Sequence, residues 1–256
     1  MIKAKVIVPM ALALGIAMIP GAALADQAKS DDSYTVCQTD KTIPIGGGYA
    51  VNNNNFARQR ECLTGERETA GFRISVSNAS LTDDSDAYPN IFVGCSWGAC
   101  SPHPWLPAKL TTLGGSETTF DSVDNATGIW ATGYDMFLNP KPIHDGQGQT
   151  EAMIWLNAQN TYNPAGHGWP TARIDGTLWW VLTWETGNQE NHWRYVQFRR
   201  VTPVSGVKNL ALGPFISYLE HQDWVTPHWY LLNVEAGFEI WAGGTGLSVT
   251  RFAVRR

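Results

Sequence analysis

The strongest constraint on this chain is a rhythm. From Tyr49 onward, short stretches of alternating or β-rich character are separated at close intervals by Gly, Asn, Asp and Pro. A period of two is that of a pleated strand, whose successive side chains point to opposite faces, so the pattern predicts an all-β sandwich or barrel. Phe72, Ile74 and Val76 alternate with Arg73, Ser75 and Ser77, and residues 129–138, 151–157, 178–183, 195–201, 229–239 and 247–254 also read as strands. One stretch breaks the rhythm. Leu212, Phe215, Ile216 and Leu219 fall at helical spacing, which predicts a lone helix over 207–221 packed on the sandwich.

The N-terminus follows a different logic. Lys3 and Lys5 precede an apolar run from Val6 to Ile19 and the small-residue tripeptide Ala23-Leu24-Ala25. Those are the three parts of a secretory signal peptide, so residues 1–25 are expected to be removed near Ala25 and residues 26–256 to form one secreted domain. A membrane anchor fits less well, because the uninterrupted run, bracketed by Pro9 and Pro20, is short for a bilayer span. Without Lys3 and Lys5 the formal charge is (18 − 2) − 23 = −7. No basic cluster larger than the pairs Arg199-Arg200 and Arg255-Arg256 occurs, which argues against nucleic-acid or anionic-membrane partners and leaves neutral ligands open. In an oxidising compartment the four cysteines are expected as disulfides. Three pairings are possible, and the short interval between Cys95 and Cys100 favours Cys95–Cys100 with Cys37–Cys62. No Cys-x-x-Cys pair or suitably spaced His supports zinc, and no metal or cofactor is expected.

The chemistry is carried by carboxylates. In residues 151–157, alternation puts Ala152, Ile154 and Leu156 on one face, a pure core face, and Glu151, Met153, Trp155 and Asn157 on the other. Near the C-terminus Val234, Ala236, Phe238 and Ile240 oppose Glu235, Gly237, Glu239 and Trp241, with Gly237 expected to leave room beside the acids. Asp135 alternates outward in the same manner. An unpaired charge in mid-sheet is costly, so three strands each presenting an acid on a non-core face point to a site. Two carboxylates flanking a glycosidic bond are the standard equipment for its hydrolysis. Twelve tryptophans strengthen a carbohydrate reading, since aromatic faces match the apolar faces of sugar rings. A serine-hydrolase elbow and a His-Glu-x-x-His helix are both absent, Gly46-Gly47-Gly48 reads as a turn, and Asp83-Asp84-Ser85-Asp86 reads as a solvated turn.

These residues resemble glycoside hydrolase family 12, secreted endoglucanases and xyloglucanases, over about Cys37 to Val254. Residues 151–157 look like the family's nucleophile strand and residues 236–241 like its acid/base strand. The resemblance implies a β-jelly-roll sandwich of two curved antiparallel sheets with an open cleft. It implies a retaining endo-β-1,4-glucanase in which Glu151 is the nucleophile, Glu239 the acid/base and Asp135 a tuning residue beside Glu151, with Met153 packed next to it. It also implies glycone contacts from Asn54 and Phe56, a substrate-side aromatic at Trp97 in the disulfide loop, and a cleft-crossing loop containing Pro164. Phe56 stands where the family usually has Trp, and Ser96 where it usually has His. The expected partner is a β-glucan, cellulose-type or mixed-linkage, with xyloglucan as the alternative, acted on by a monomer. A non-catalytic carbohydrate-binding sandwich is the rival from another class.

Overall fold

Phe72 and Phe238 meet edge to face at 6.0 Å between ring centres, and Phe120 meets Tyr134 at 5.5 Å. Each pair joins a residue of one sheet to a residue of another, so their rings mark the inside of a sandwich. In the computed structural model, which describes residues 32–81, 83–145, 148–188 and 192–256, these sheets have six and thirteen strands. The smaller runs in the order Ser33–Val36, Glu61–Glu66, Phe72–Ser77, Ser248–Arg255, Glu117–Val123 and Gly206–Ala211. The main path of the larger runs Thr171–Ile174, Thr177–Gly187, His192–Arg200, Thr150–Gln159, Gly128–Asn139, Asn233–Gly243, Asn90–Ser96, Tyr49–Asn53 and Lys41–Ile45. The expected signal segment, residues 1–25, lies outside the described residues.

The alternation read in the sequence sorts the side chains between two environments. Ala152, Ile154 and Leu156 join Val234, Ala236, Phe238 and Ile240 in the main core between the sheets. Met153 and Trp155 lie on the opposite face, in a small second cluster with Tyr88, Ala131 and Tyr195. Burying one large apolar side chain contributes about 1.5–3 kcal/mol, so the first face holds the strands in place and frees the second for polar groups.

Three expectations change. Residues 207–221 are not one helix: Gly206–Ala211 is an edge strand paired with Glu117–Val123, and the helix is Gly213–His221. Pro214 sits in the first helical turn, where its missing N–H costs nothing, and so marks the true start. The helix sets Phe215 against Trp179 and Phe198, each at 5.2 Å. Second, strand pairing begins before Tyr49, with Ser33–Val36 and Lys41–Ile45. Third, the larger sheet is not antiparallel throughout, because Thr150–Gln159 and His192–Arg200 run parallel. Both disulfides take the favoured pairing, Cys37–Cys62 and Cys95–Cys100. No helix among the described residues is long and apolar enough to cross a membrane.

Candidate active site

Glu151 and Glu239 stand on the two strands that flank Gly128–Asn139, and both line the same cavity of about 660 Å³ on the non-core face. An adjoining cavity of about 540 Å³ shares both glutamates, together with Trp193 and Asp84, so the two form one open cleft across the sheet. Between the glutamates, Asp135 faces Met153 on one neighbouring strand and Glu235 on the other. Glu151 is paired with Phe137, two residues along from Asp135, which makes Glu151 and Asp135 diagonal neighbours on one face. Four carboxyls thus converge.

Their electrostatics follow from burial and from one another. Asp135 is 6% exposed and Glu235 2%. Desolvation pushes the Asp135 pKa well up, and the charges of Glu151, Glu235 and Glu239 push it further. Glu239 rises from an ordinary 4.5 to about 8, first by desolvation and then by the charge of Glu151, while the Ser85 hydroxyl opposes the rise. Glu151 is raised by burial but receives a hydrogen bond from the Trp193 indole N–H at 2.5 Å, which favours its ionised form. Glu235 is raised by desolvation as well, opposed by its bond to the Ser96 hydroxyl, and its Oε1 also accepts from Asn233 Nδ2 at 2.6 Å. Glu239 Oε2 and Asp135 Oδ1 are buried without hydrogen-bond partners among the described residues. Both carboxyls are raised, Glu239 further than Glu151, so Glu151 is the first of the two to ionise, which is the order that acid-assisted displacement requires.

The remaining expected residues mostly reach the cleft. Asn54, Phe56, Trp97 and Met153 line the larger cavity. Phe56 is 49% exposed, so it is not a core residue. Trp97 is 59% exposed for a local reason. With Gly98 it occupies the tip of the hairpin closed by Cys95–Cys100, both residues take positive φ, and that two-residue turn throws the indole outward. Pro164 does not line the cleft; it is buried in the turn Pro164–His167, where the Asn163 side chain accepts from the Ala165 N–H, and Tyr162 lines the cleft instead. The space beside Gly237 is not open either: a side chain there would meet the Pro89 carbonyl oxygen at 2.1 Å, so glycine serves close backbone packing.

Other contributors were not singled out from the sequence. Asp84 and Ser85 border the cleft beside Glu239, which overturns the reading of Asp83 to Asp86 as a merely solvated turn. Asp86 is buried and accepts from the Ser80 N–H at 2.7 Å, pinning that loop. Tyr195 lies opposite Glu151 across the parallel ladder and donates its hydroxyl to Met153 Sδ at 3.0 Å. Trp193, Tyr195 and Gln197 share one strand face, and that alternation was the signal available for them. Cys95, Cys100 and His144 lie within reach of one ion, but the two sulfurs are joined to each other and offer no thiolate.

Comparisons with known proteins supply the family. The family profile described as Glycosyl hydrolase family 12 matches residues 47–255. A probable cellulase, Cel12b, of Mycobacterium tuberculosis is 29% identical over 150 residues, 59% of this chain and 96% of that protein. Endoglucanase S of Pectobacterium parmentieri is 27% identical over 84% of each chain. Among solved structures, a metagenome-derived family 12 endoglucanase superposes with a TM-score of 0.79 at 32% identity, over 87% of this chain and 97% of that one. The endoglucanase cel12A of Rhodothermus marinus gives 0.78 at 32%, over 86% and 97%. With its fold and its sequence both matching, the chain belongs to glycosyl hydrolase family 12.

Proposed function

We propose that this protein is a retaining endo-β-1,4-glucanase that cleaves within β-glucan chains by double displacement. The observation that carries the reading is the shared cavity of Glu151 and Glu239, one glutamate hydrogen-bonded by an indole N–H and the other pushed to a pKa of about 8. The relatives named cellulase and endoglucanase support the substrate class. In this mechanism Glu151 attacks the anomeric carbon as a carboxylate while Glu239 gives its proton to the departing glycosidic oxygen. Glu239, now the anion, then takes a proton from the water that releases the sugar from Glu151. Asp135 tunes Glu151 from the adjacent strand, and an open cleft suits internal cleavage of a chain rather than trimming of an end.

A binding-only sandwich would share the aromatic lining and lack turnover. Release of reducing ends from carboxymethylcellulose and mixed-linkage β-glucan decides between them, and proton NMR of the first product decides the stereochemistry. Retention is expected; inversion would overturn the double displacement, and no release from either glucan would overturn the hydrolase. Azide should restore partial activity to Glu151→Ala on an activated substrate and give the glycosyl azide of inverted configuration. Residues 1–25 are assigned here as an export signal on their sequence, with the two disulfides of the domain in keeping with an oxidising compartment. Mass spectrometry of the exported chain tests that assignment, which requires a new N-terminus near Asp26.

A further inference from the structure

Outside the cleft, Asn55, Glu61, Ser77 and Asp86 line a small gap too narrow to admit a water molecule. Glu61 and Asn55 are each 2% exposed, and Asp86 is fully buried. Part of their hydrogen bonding is accounted for. Asp86 Oδ2 accepts from the N–H groups of Ser80 and Leu81 at 2.7 and 3.4 Å, and Asn55 Nδ2 donates to the Gln59 carbonyl. The rest is not: both carboxyl oxygens of Glu61, Asp86 Oδ1 and Asn55 Oδ1 are buried without hydrogen-bond partners among the described residues. Four acceptors thus share one gap without a donor.

Buried acceptors left bare are costly, and carboxylates most of all. Water has no room to enter, so only a proton or a bare cation relieves them. Burial first, and then the charge of Asp86, lifts Glu61 from an ordinary 4.5 to about 8, a measure of how poorly a second negative charge is tolerated here. A proton shared between Glu61 and Asp86 engages one oxygen of each and leaves the other Glu61 oxygen and Asn55 Oδ1 as they were. A cation engages all four together. Two carboxylates and an amide carbonyl, all oxygen, suit a hard divalent cation, with two negative charges matching two positive ones. Calcium tolerates an irregular cage, whereas magnesium holds to octahedral geometry and keeps several waters, for which this gap has no space. Arg60, the one cationic side chain lining the gap, is exposed and forms no ion pair with either acid among the described residues.

The three side chains come from separate segments, so no single loop motif announces them. Asn55 follows Tyr49–Asn53 of the larger sheet, Glu61 opens Glu61–Glu66 of the smaller one, and Asp86 lies ahead of Asn90–Ser96. Two of them have neighbours in the cleft: Asn54 and Phe56 beside Asn55, and Asp84 and Ser85 beside Asp86. Backbone bonds already join these two segments, from the Ala57 N–H to the Asp86 carbonyl at 3.0 Å and from the Tyr88 N–H to the Asn54 carbonyl at 2.8 Å. We propose that Asn55, Glu61 and Asp86 form a structural calcium site that fastens both cleft-bordering segments to the smaller sheet. The site stands whatever the cleft cleaves.

The test titrates calcium chloride into the full protein after it has been stripped with EDTA. One calcium should bind per chain, and at about a hundredfold excess over its Kd the melting temperature should rise by about 5–10 °C above its value in EDTA. Magnesium should do far less. Glu61→Gln and Asp86→Asn keep the shape of the site and remove charge, so each should weaken calcium binding about tenfold or more and shrink the rise in melting temperature. Asn55→Asp adds a third charge at the same position, and it should tighten calcium binding about tenfold while lowering the melting temperature in EDTA. No bound calcium, or the same melting temperature in calcium and in EDTA, overturns the site and leaves a shared proton between the two acids. An equal rise with magnesium overturns it too, as general screening of charge. So does parental affinity in both charge-removing variants, since the ion would then sit on exposed acids such as Asp83 and Asp84. Should those variants fail to fold, Asn55→Asp decides: binding no tighter than in the parent overturns the site.

Discussion

The two ends of the cleft are built from different materials. Toward Asn54, Phe56 and Trp97 the lining is polar and acidic, with Asp135 and Glu235 on its floor and two exposed rings at its rim. Toward Tyr162, Trp184 and Trp241 the rings stand among polar side chains such as Asp83, Asn160 and Thr186, and Trp155 meets Trp241 edge-on at 5.8 Å. Only Glu151, Glu239, Trp193 and Asp84 belong to both. The difference teaches that the buried acids are concentrated on one side: Asp135 and Glu235 crowd the shared glutamates where a sugar must be distorted and attacked, while the other side adds ring surface on which a chain can be held.

Removing the shared glutamates should have the largest effect. Glu151→Ala and Glu239→Ala are each expected to lower turnover by about 10²- to 10⁴-fold or more. Neither should lower the melting temperature, because each deletion relieves a cluster of like charges. Near parental activity in either variant would remove that glutamate from its role. Next comes Trp193, whose indole N–H stabilises the ionised form of Glu151. Hydrogen bonds to charged groups are worth about 1.5–3 kcal/mol, so Trp193→Phe should move the acid limb of kcat/KM to higher pH by about one to two units. An unmoved acid limb would mean that another group sets the charge of Glu151.

The pH dependence of stability separates the two ends more gently. Glu239 has a folded pKa of about 8 against an ordinary 4.5, so between these values the folded state keeps a proton that the unfolded state has lost. Its contribution is therefore fully present below about pH 4.5 and is lost as pH rises toward 8. Melting temperature should fall across that window, and Glu239→Gln should flatten the fall. Catalysis ought to decline above about pH 8 as the proton donor is lost. Trp184→Ala, on the other side of the cleft, should leave the slope of melting temperature against pH as it is.

What could be read from the sequence divides along the same physical line. Alternation placed Glu151, Glu239 and Asp135 on the non-core face, because a period of two is enough to say which side of a sheet a residue takes. It did not reveal that Trp193 reaches Glu151, since that contact depends on a parallel pairing between strands about 40 residues apart. Nor could it show Ser85 beside Glu239, or Pro164 turned inward with Tyr162 outward, because loops carry no period and their aim is set by the packing beneath them. Periodicity alone overextends the helix, because Val207 and Leu210 satisfy helical spacing as well as an edge strand, and the decisive mark, Pro214, is local chemistry rather than periodicity.

The smallest expected effect concerns the rim of the polar end. Phe56 follows the Asn run and, with 49% exposure, lines the cavity beside Asn54. A larger ring there meets solvent rather than neighbours, so the cost of about 1–3 kcal/mol for overpacking a core does not apply. Stacking on an aromatic platform is worth about 1 to 3 kcal/mol for nucleic-acid bases, and the step from Phe to Trp should add a part of one such contact. The contact lies away from the bond that breaks, so it stabilises ground and transition states alike. Phe56→Trp is therefore expected to lower KM for unbranched cello-oligosaccharides a few-fold, with kcat and melting temperature unchanged. Michaelis kinetics with a melting curve on this one variant is the measurement. A lower kcat would place residue 56 near the reacting ring, and an unchanged KM would mean that the glycone end is held by Trp97 and the polar floor without help from this position.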